Sequence, residues 1–267
     1  RPQDAASRIW HWREGQAHCL TPAGFSVRSR VYEYGGGSFC LSDDAVVFVN
    51  EADQQLYLQP LDGSAPQVLT QGTCRYGGVQ FASGQVLAVE ETGDQHRLVS
   101  IDLDTLARQI LAEGADFYGA PALSPDGQRL AWIEWSRPHQ PWTSTRLMLA
   151  EGQTAGRWNT AQCLAGDLEE ESLQQPRFDA DNRLHCLTDR AGFWQPWAES
   201  GEGLVPAPSP RADHAPAPWQ LGTTTFVPLG EQAWLASWTE DGFGRLGIRT
   251  ADGNLEDFTG DYSHFRS

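Results

Sequence analysis

The sequence predicts an all-β propeller built from four-stranded blades, and three observations carry that prediction. The first is composition. The 267 residues include 27 Gly, 16 Pro and 11 Trp but one Met, a mix that suits short strands and tight turns better than long helices. The second is a repeat. Five apolar hexads of strand type, Ala45–Asn50, Gln85–Glu90, Arg129–Glu134, Arg183–Thr188 and Gln232–Ser237, start at steps of 40, 44, 54 and 49 residues. The third is punctuation. Most hexads follow a turn: Ser42-Asp43-Asp44, Ser83-Gly84, Ser124-Pro125-Asp126-Gly127 or Asp179-Ala180-Asp181-Asn182, each rich in residues that tolerate turn geometry.

Each hexad has companions. A short apolar segment precedes its turn (Ser38–Leu41, Val79–Ala82, Pro121–Ser124, Pro176–Asp179, Thr225–Leu229). A third segment follows it (Leu56–Leu61, Arg97–Leu103, Arg146–Ala150, Phe193–Glu199, Arg245–Thr250). A fourth closes the unit (Gln67–Thr70, Arg108–Ala112, Ala161–Ala165, Gly203–Ala207, Asn254–Thr259). Four strands recurring every 40–50 residues or so are the mark of propeller blades. The predicted domain spans 1–267, with full blades at 38–70, 79–112, 120–165, 175–207 and 225–259. Residues 8–20 read as the outer two strands of an earlier blade, and Asp261–Ser267 as the lead into a later one. Both ends therefore read as cut. The start, Arg1-Pro2-Gln3 without Met, reads as trimmed or processed, and the ring as incomplete. A second repeat, Tyr34-Gly35-Gly36, Tyr76-Gly77-Gly78 and Tyr118-Gly119-Ala120, steps by 42 and 42 and falls just before each first strand. Glycine there would let the chain turn tightly into the innermost strand beside its neighbours; alternatively it is simply a repeated turn.

Charge and cysteine usage exclude several classes. A formal net charge of −16 repels a phosphate backbone, so nucleic acid is not an expected partner. No stretch approaches the roughly 20 apolar residues of a membrane helix, and no signal peptide opens the chain. Cys19, Cys40, Cys74, Cys163 and Cys186 are odd in number, widely spaced and free of Cys-x-x-Cys. They read as free thiols, and the simplest compartment is a reducing cytoplasm.

Catalytic patterns are not found. Gly36-Gly37-Ser38-Phe39-Cys40 lacks the last glycine of a nucleophile elbow and sits at a strand start rather than a strand-to-helix turn. The seven histidines show no metal-ligand spacing. Ser124-Pro125-Asp126-Gly127 has its glycine one position too early for a sialidase turn. No metal and no cofactor is expected, and no residue is assigned a catalytic role.

Two stretches hold the candidate binding residues. Arg28–Gly37 (RSRVYEYGGG) packs Arg28, Arg30, Glu33 and Tyr34 into the lead-in to an inner strand. Glu134–Trp142 (EWSRPHQPW) places Glu134, Trp135, Arg137, His139 and Trp142 in the link between second and third strands. In an up-and-down blade those two kinds of link share one rim, so both stretches are expected on one face near the central channel. There arginine would suit a carboxylate. The alternative is that the aromatic rings and prolines only pack the loop, with the charges solvated or paired locally.

RSRVYEYGGG, Leu123–Trp135 (LSPDGQRLAWIEW) with Pro138–Leu147 (PHQPWTSTRL), and Thr188-Asp189-Arg190 with Phe193-Trp194 together resemble the propeller of the prolyl oligopeptidase family, peptidase family S9. The likeness is greatest to its acylaminoacyl-peptidase and dipeptidyl-peptidase-like branch. The Ser-Pro-Asp-Gly turn alone is unspecific, since TolB-like propellers share it. The family pattern often has His where Tyr32 stands and Asp where Thr143 stands. The resemblance implies seven blades in a parent chain and a following α/β-hydrolase domain with a Ser-Asp-His triad. It implies peptide substrates and a non-catalytic, substrate-gating role for this part. The other readings are a stand-alone TolB-like propeller that docks proteins, and an independent propeller enzyme such as a lactonase or sialidase.

Overall fold

A computed structural model describes residues 5–153, 157–168, 170–201 and 203–265. Arg1–Gln3, the 154–156 part of the third blade and the last two residues of the tail lie outside them. Every regular element described is a β-strand. The strands form five antiparallel blades of a β-propeller and one separate hairpin, and the chain divides into two compact units.

Unit 1 comprises Arg1–Gly114 with Gln220–Gly222. Its hairpin is β1 (Trp10–Arg13) and β2 (Gln16–Cys19). Its first blade is β3 (Phe39–Leu41), β4 (Ala45–Val49), β5 (Leu56–Pro60) and β6 (Gln67–Val68). Its second is β7 (Arg75–Ala82), β8 (Gln85–Thr92), β9 (Gln95–Asp102) and β10 (Arg108–Glu113). Every residue of β4 is buried, which is why its sequence is a continuous apolar run rather than an alternation. Val47 and Val49 pack on Val79, Val86 and Ala88 of the second blade. Phe48 meets Tyr57 stacked at 5.7 Å and Phe25 edge-on at 5.8 Å.

Unit 2 comprises Ala115–Trp219 with Thr223–Ser267. Its blades are β11 (Phe117–Leu123), β12 (Arg129–Trp135), β13 (Arg146–Gln153), β14 (Arg157–Trp158) and β15 (Gln162–Ala165); β16 (Leu173–Phe178), β17 (Leu184–Thr188), β18 (Gln195–Ser200) and β19 (Gly203–Pro206); and β20 (Phe226–Gly230), β21 (Ala233–Glu240), β22 (Phe243–Arg249) and β23 (Leu255–Asp257). The expected fourth strand of the first of these blades is β15. The short β14 also pairs with the far end of β13, so that sheet has five strands. Ala131, Ile133 and Leu147 pack against Leu173, Leu184 and Cys186 of the next blade. Leu187 then packs with Phe226, Trp234, Ala236 and Trp238. Along β21 the burial alternates, Trp234, Ala236 and Trp238 being buried and their neighbours less so, the period of two that a sheet with one covered face requires.

Hairpin chemistry fixes several registers. Glu14-Gly15, Ser83-Gly84 and Asp241-Gly242 are two-residue loops between paired strand ends, with both central residues at positive φ. That geometry matches the twist of the flanking strands.

The tyrosine–glycine repeat requires a correction. It does not precede the first strand in the second and third blades. Tyr76-Gly77-Gly78 lies inside β7 and Tyr118-Gly119-Ala120 inside β11. The register slips between Gly77 and Gln80 and between Gly119 and Ala122, and Gly78 and Ala120 have positive φ. These are β-bulges in the inner strands. β16 carries the same slip between Gln174 and Arg177, around Gln175 at positive φ. The expectation of close neighbours does hold in unit 1. Gly78 and Val79 donate to the carbonyls of Gly36 and Gly37 at 3.1 and 3.0 Å. A Cβ added to Gly37 would stand 2.5 Å from the Gly78 Cα, so a side chain there is excluded by backbone.

Candidate functional site

In unit 1 the Arg28–Gly37 lead-in lies beside the β4–β5 and β8–β9 links. Arg28 and Arg30 converge on one carboxylate, Glu51, at 3.5 and 3.1 Å. Ser26 Oγ donates to the other oxygen of Glu51 at 2.7 Å. The Ser26 and Arg30 hydrogen bonds hold the Glu51 carboxyl below its ordinary value. The backbone between the two arginines is held by Gln54, which accepts from Arg30 N at 2.6 Å and donates to Arg28 O at 3.2 Å. Glu33 is bound by Arg75, whose guanidinium also donates to Arg30 O and stands 3.9 Å from Glu91. The Glu33 hydrogen bond raises the Arg75 pKa. Glu91 accepts from Tyr32 N at 3.2 Å and faces His96 at 3.8 Å, and the Tyr32 ring meets the His96 ring at 4.8 Å. Burial would raise the Glu91 carboxyl, but the contacts from His96, Tyr32 N and Arg75 outweigh it and its pKa is lowered. Tyr34 is exposed, and its carbonyl accepts from Gln220 Nε2 at 3.2 Å.

This rim is a lattice of alternating charge rather than a row of bare cations. Arg28 and Arg30 each hold a local acid, Glu51. Exposed pairs of this kind contribute about 0–1 kcal/mol each to stability. They can be exchanged for a ligand at small cost.

In unit 2 the residues of Glu134–Trp142 do not act as one group. Glu134 is buried inside its blade, accepting from Trp132 Nε1 at 2.9 Å and Arg146 Nη2 at 2.8 Å. Trp135 stacks on Phe117 with centroids 5.3 Å apart, and the Arg137 guanidinium lies over the same phenyl ring at 5.4 Å. Arg137 N donates to Asp116 at 2.8 Å, which ties the β12–β13 link to the lead-in of β11 on one rim of that blade. The Arg137–Pro138 peptide is cis. His139 N donates to the Ser136 carbonyl within a turn. Trp142 meets Trp219 with the rings tilted by 34° and their centroids 4.2 Å apart, and the Pro141 carbonyl is held by Ser172 Oγ at 2.8 Å.

The most strongly committed charges went unnoticed in the sequence. Glu90, 2% exposed, takes two hydrogen bonds from Arg108, one from Tyr76 Oη at 3.1 Å, and lies 3.9 Å from Arg97. Burial, followed by the charge of Glu90, pushes the Tyr76 phenol up. Glu171 is held by Arg190 through two nitrogens and by Thr188 Oγ1, and Arg190 covers the Trp197 ring at 4.8 Å. A carboxylate near the end of a second strand, facing an arginine from a fourth strand 18 residues on, is the signal that could have located Glu90 and Arg108.

The serine and histidines nearest to a catalytic pattern have local partners. Ser38 Oγ accepts from Ser29 N at 3.0 Å. His185 is buried against Asp179 at 2.8 Å, and His214 Nδ1 faces the Ala212 carbonyl at 2.9 Å. Among the described residues no group of three or more His, Cys, Asp or Glu is placed to hold a metal ion, and no helix is long and apolar enough to cross a membrane.

No family model and no curated protein matches the chain. Solved structures do. A puromycin-hydrolyzing peptidase of Mycobacterium tuberculosis is 28% identical, with a TM-score of 0.86 over 97% of this chain and 44% of its own. A puromycin hydrolase is 27% identical, with a TM-score of 0.82 over 94% of this chain and 42% of its own. The chain thus spans less than half the length of the solved peptidases it matches. TolB from Acinetobacter baumannii matches at 14% identity and a TM-score of 0.57, over 80% of this chain and 51% of its own, a likeness of fold alone. With the arginine–tyrosine–glycine stretch, the Trp…Pro…Pro-Trp loop and a match over nearly its full length, the chain fits a β-propeller domain of a prolyl oligopeptidase-family protein.

Proposed function

We propose that the chain is the non-catalytic, substrate-gating propeller of a serine peptidase that hydrolyses short peptides. Its partner would be an α/β-hydrolase domain of the same parent polypeptide. The observation that carries this reading is the match at 28% identity over 97% of the chain to 44% of a peptidase. The likeness to a puromycin hydrolase Ser→Ala mutant complexed with PGG supports a peptide-like substrate class. In this reading the rims bearing Arg28, Arg30, Glu33 and Tyr34, and Trp135, Arg137, His139 and Trp142, face the hydrolase domain. Steric passage between blades and hydrolase then excludes folded proteins, and the Glu51-held arginines exchange their local acid for a peptide carboxylate. The five free thiols suit a cytoplasmic setting.

The test is kinetic. In the full-length parent, kcat/KM should fall steeply as one scissile sequence is embedded in longer peptides. The double variant Arg28→Ala/Arg30→Ala should lower kcat/KM for short peptides by about tenfold, the loss expected for a charge-assisted contact. A rate independent of peptide length would reject gating. Unchanged kinetics in the double variant would leave these arginines as loop anchors only.

A further inference from the structure

Several arginines of this protein hold a buried or half-buried carboxylate. Arg108 holds Glu90, Arg129 holds Glu199, Arg146 holds Glu134 and Arg190 holds Glu171. Arg177 holds none among the described residues, and its guanidinium is not spent on a backbone carbonyl as those of Arg183 and Arg249 are. It stands on the inner strand β16, past the bulge at Gln175 and opposite His185 in register. Among the described residues no carboxylate forms an ion pair with it. Its buried Nε has no hydrogen-bond partner, and its Nη2 donates to Thr224 Oγ1 at 2.7 Å. Thr224 is exposed, so the guanidinium is sunk at its stem and reaches solvent at its tip.

The surroundings are built rather than loose. Gln175 clamps the next residue, Thr225, from both ends of its amide: Oε1 accepts from Thr225 N at 2.8 Å and Nε2 donates to Thr225 Oγ1 at 2.8 Å. That clamp fixes the segment leading into β20 against β16, and with it the position of Thr224. Burial without an acid lowers the Arg177 pKa. An ion taken out of water without a counter-ion is costly, and in a chain with 35 acidic side chains a local partner would have been easy to supply.

We propose that Arg177, beside Thr224, is a binding site for a single carboxylate group, brought by the free C-terminus of a peptide. The outer N–H groups of a planar guanidinium, which reach solvent here beside the Thr224 hydroxyl, suit the oxygens of a carboxylate. One arginine in a strongly acidic chain is too little for a polyanion. The peptide as source of the carboxylate rests on the proposed function; the site itself does not.

The experiment uses the 267-residue chain, so its outcome is independent of any peptidase activity in the parent. Acetyl-trialanine, its C-terminal amide and sodium acetate are titrated while the Arg177 Nε–Hε signal is followed by NMR. The acid should shift that signal, and the amide should bind at least about tenfold more weakly. Acetate matching the acid assigns the site to small carboxylates generally; a tighter acetyl-trialanine assigns it to peptide ends. The variant Arg177→Met should lose the preference for acid over amide while melting no lower than the wild type, because it removes an unpaired ion and keeps its apolar stem. Equal binding of acid and amide, no binding of either, or an undiminished preference in Arg177→Met would overturn the proposal.

Discussion

Replacing Glu90 by leucine removes the acceptor on which the second blade of unit 1 converges. The carboxylate is 2% exposed and takes two hydrogen bonds from Arg108 and one from Tyr76. Its loss leaves a phenol and a guanidinium without their acid. Removing one member of a buried ion pair costs about 3–5 kcal/mol. The Arg108 side chain is 35% exposed and can turn toward water, which places the expected loss near the lower end, about 3 kcal/mol. For a protein of this size that is a fall of roughly 6–12 °C in Tm. Urea unfolding followed by far-UV circular dichroism measures it. Two companion variants locate the cause. Glu90→Gln keeps the shape and should lose less. Glu90→Leu with Arg108→Met removes both charges and should recover much of the loss, since paired apolar replacements avoid the stranded ion. A single variant as stable as the wild type, or a double variant worse than the single, would refute the reasoning.

Two further outcomes follow from burial. The His214 imidazole is held down to about 4, against an ordinary 6.5, by burial against Trp234 and Trp238. A depressed folded pKa contributes stability above the unfolded value, and that stability is lost as pH falls from 6.5 toward 4, on the order of 3 kcal/mol. The wild type should therefore lose more unfolding free energy than His214→Leu between about pH 7 and about pH 4.5; parallel pH profiles would contradict it. The cysteines should differ in reach rather than in pairing. Exposed Cys19 should react with a thiol reagent in the folded protein, and buried Cys186 only on unfolding. Burial pushes the Cys40 thiol up to about 12 and raises Cys186 too; any disulfide in the protein as isolated would count against this.

The blade frame was legible because β4, β8, β12 and β17 are buried almost end to end, and burial on both faces writes itself as an apolar run. Fourth strands such as β6 and β23 are short and exposed, so their limits could not be read sharply. The tyrosine–glycine repeat was visible as a period, but glycine alone does not say whether positive φ precedes a strand or interrupts it. At Ala120 and Gln175 the bulge is made without glycine. The candidate rim was legible as a concentration of charge. Its pairing was not, because Glu51 meets Arg28 and Arg30 from across more than 20 residues of chain. For the same reason Arg177 could not be told from its well-partnered counterparts until the strands were placed.

The central claim is that this chain gates a peptidase without being one. Its most direct test is intact mass after treatment with an active-site serine phosphonate, on the 267-residue chain and on the full-length parent in parallel. Acyl transfer needs a nucleophile, a base and an oxyanion hole together. The account predicts one adduct on the parent and none on the chain; a stoichiometric adduct on a serine of the chain itself, or a parent that takes no adduct, would contradict it.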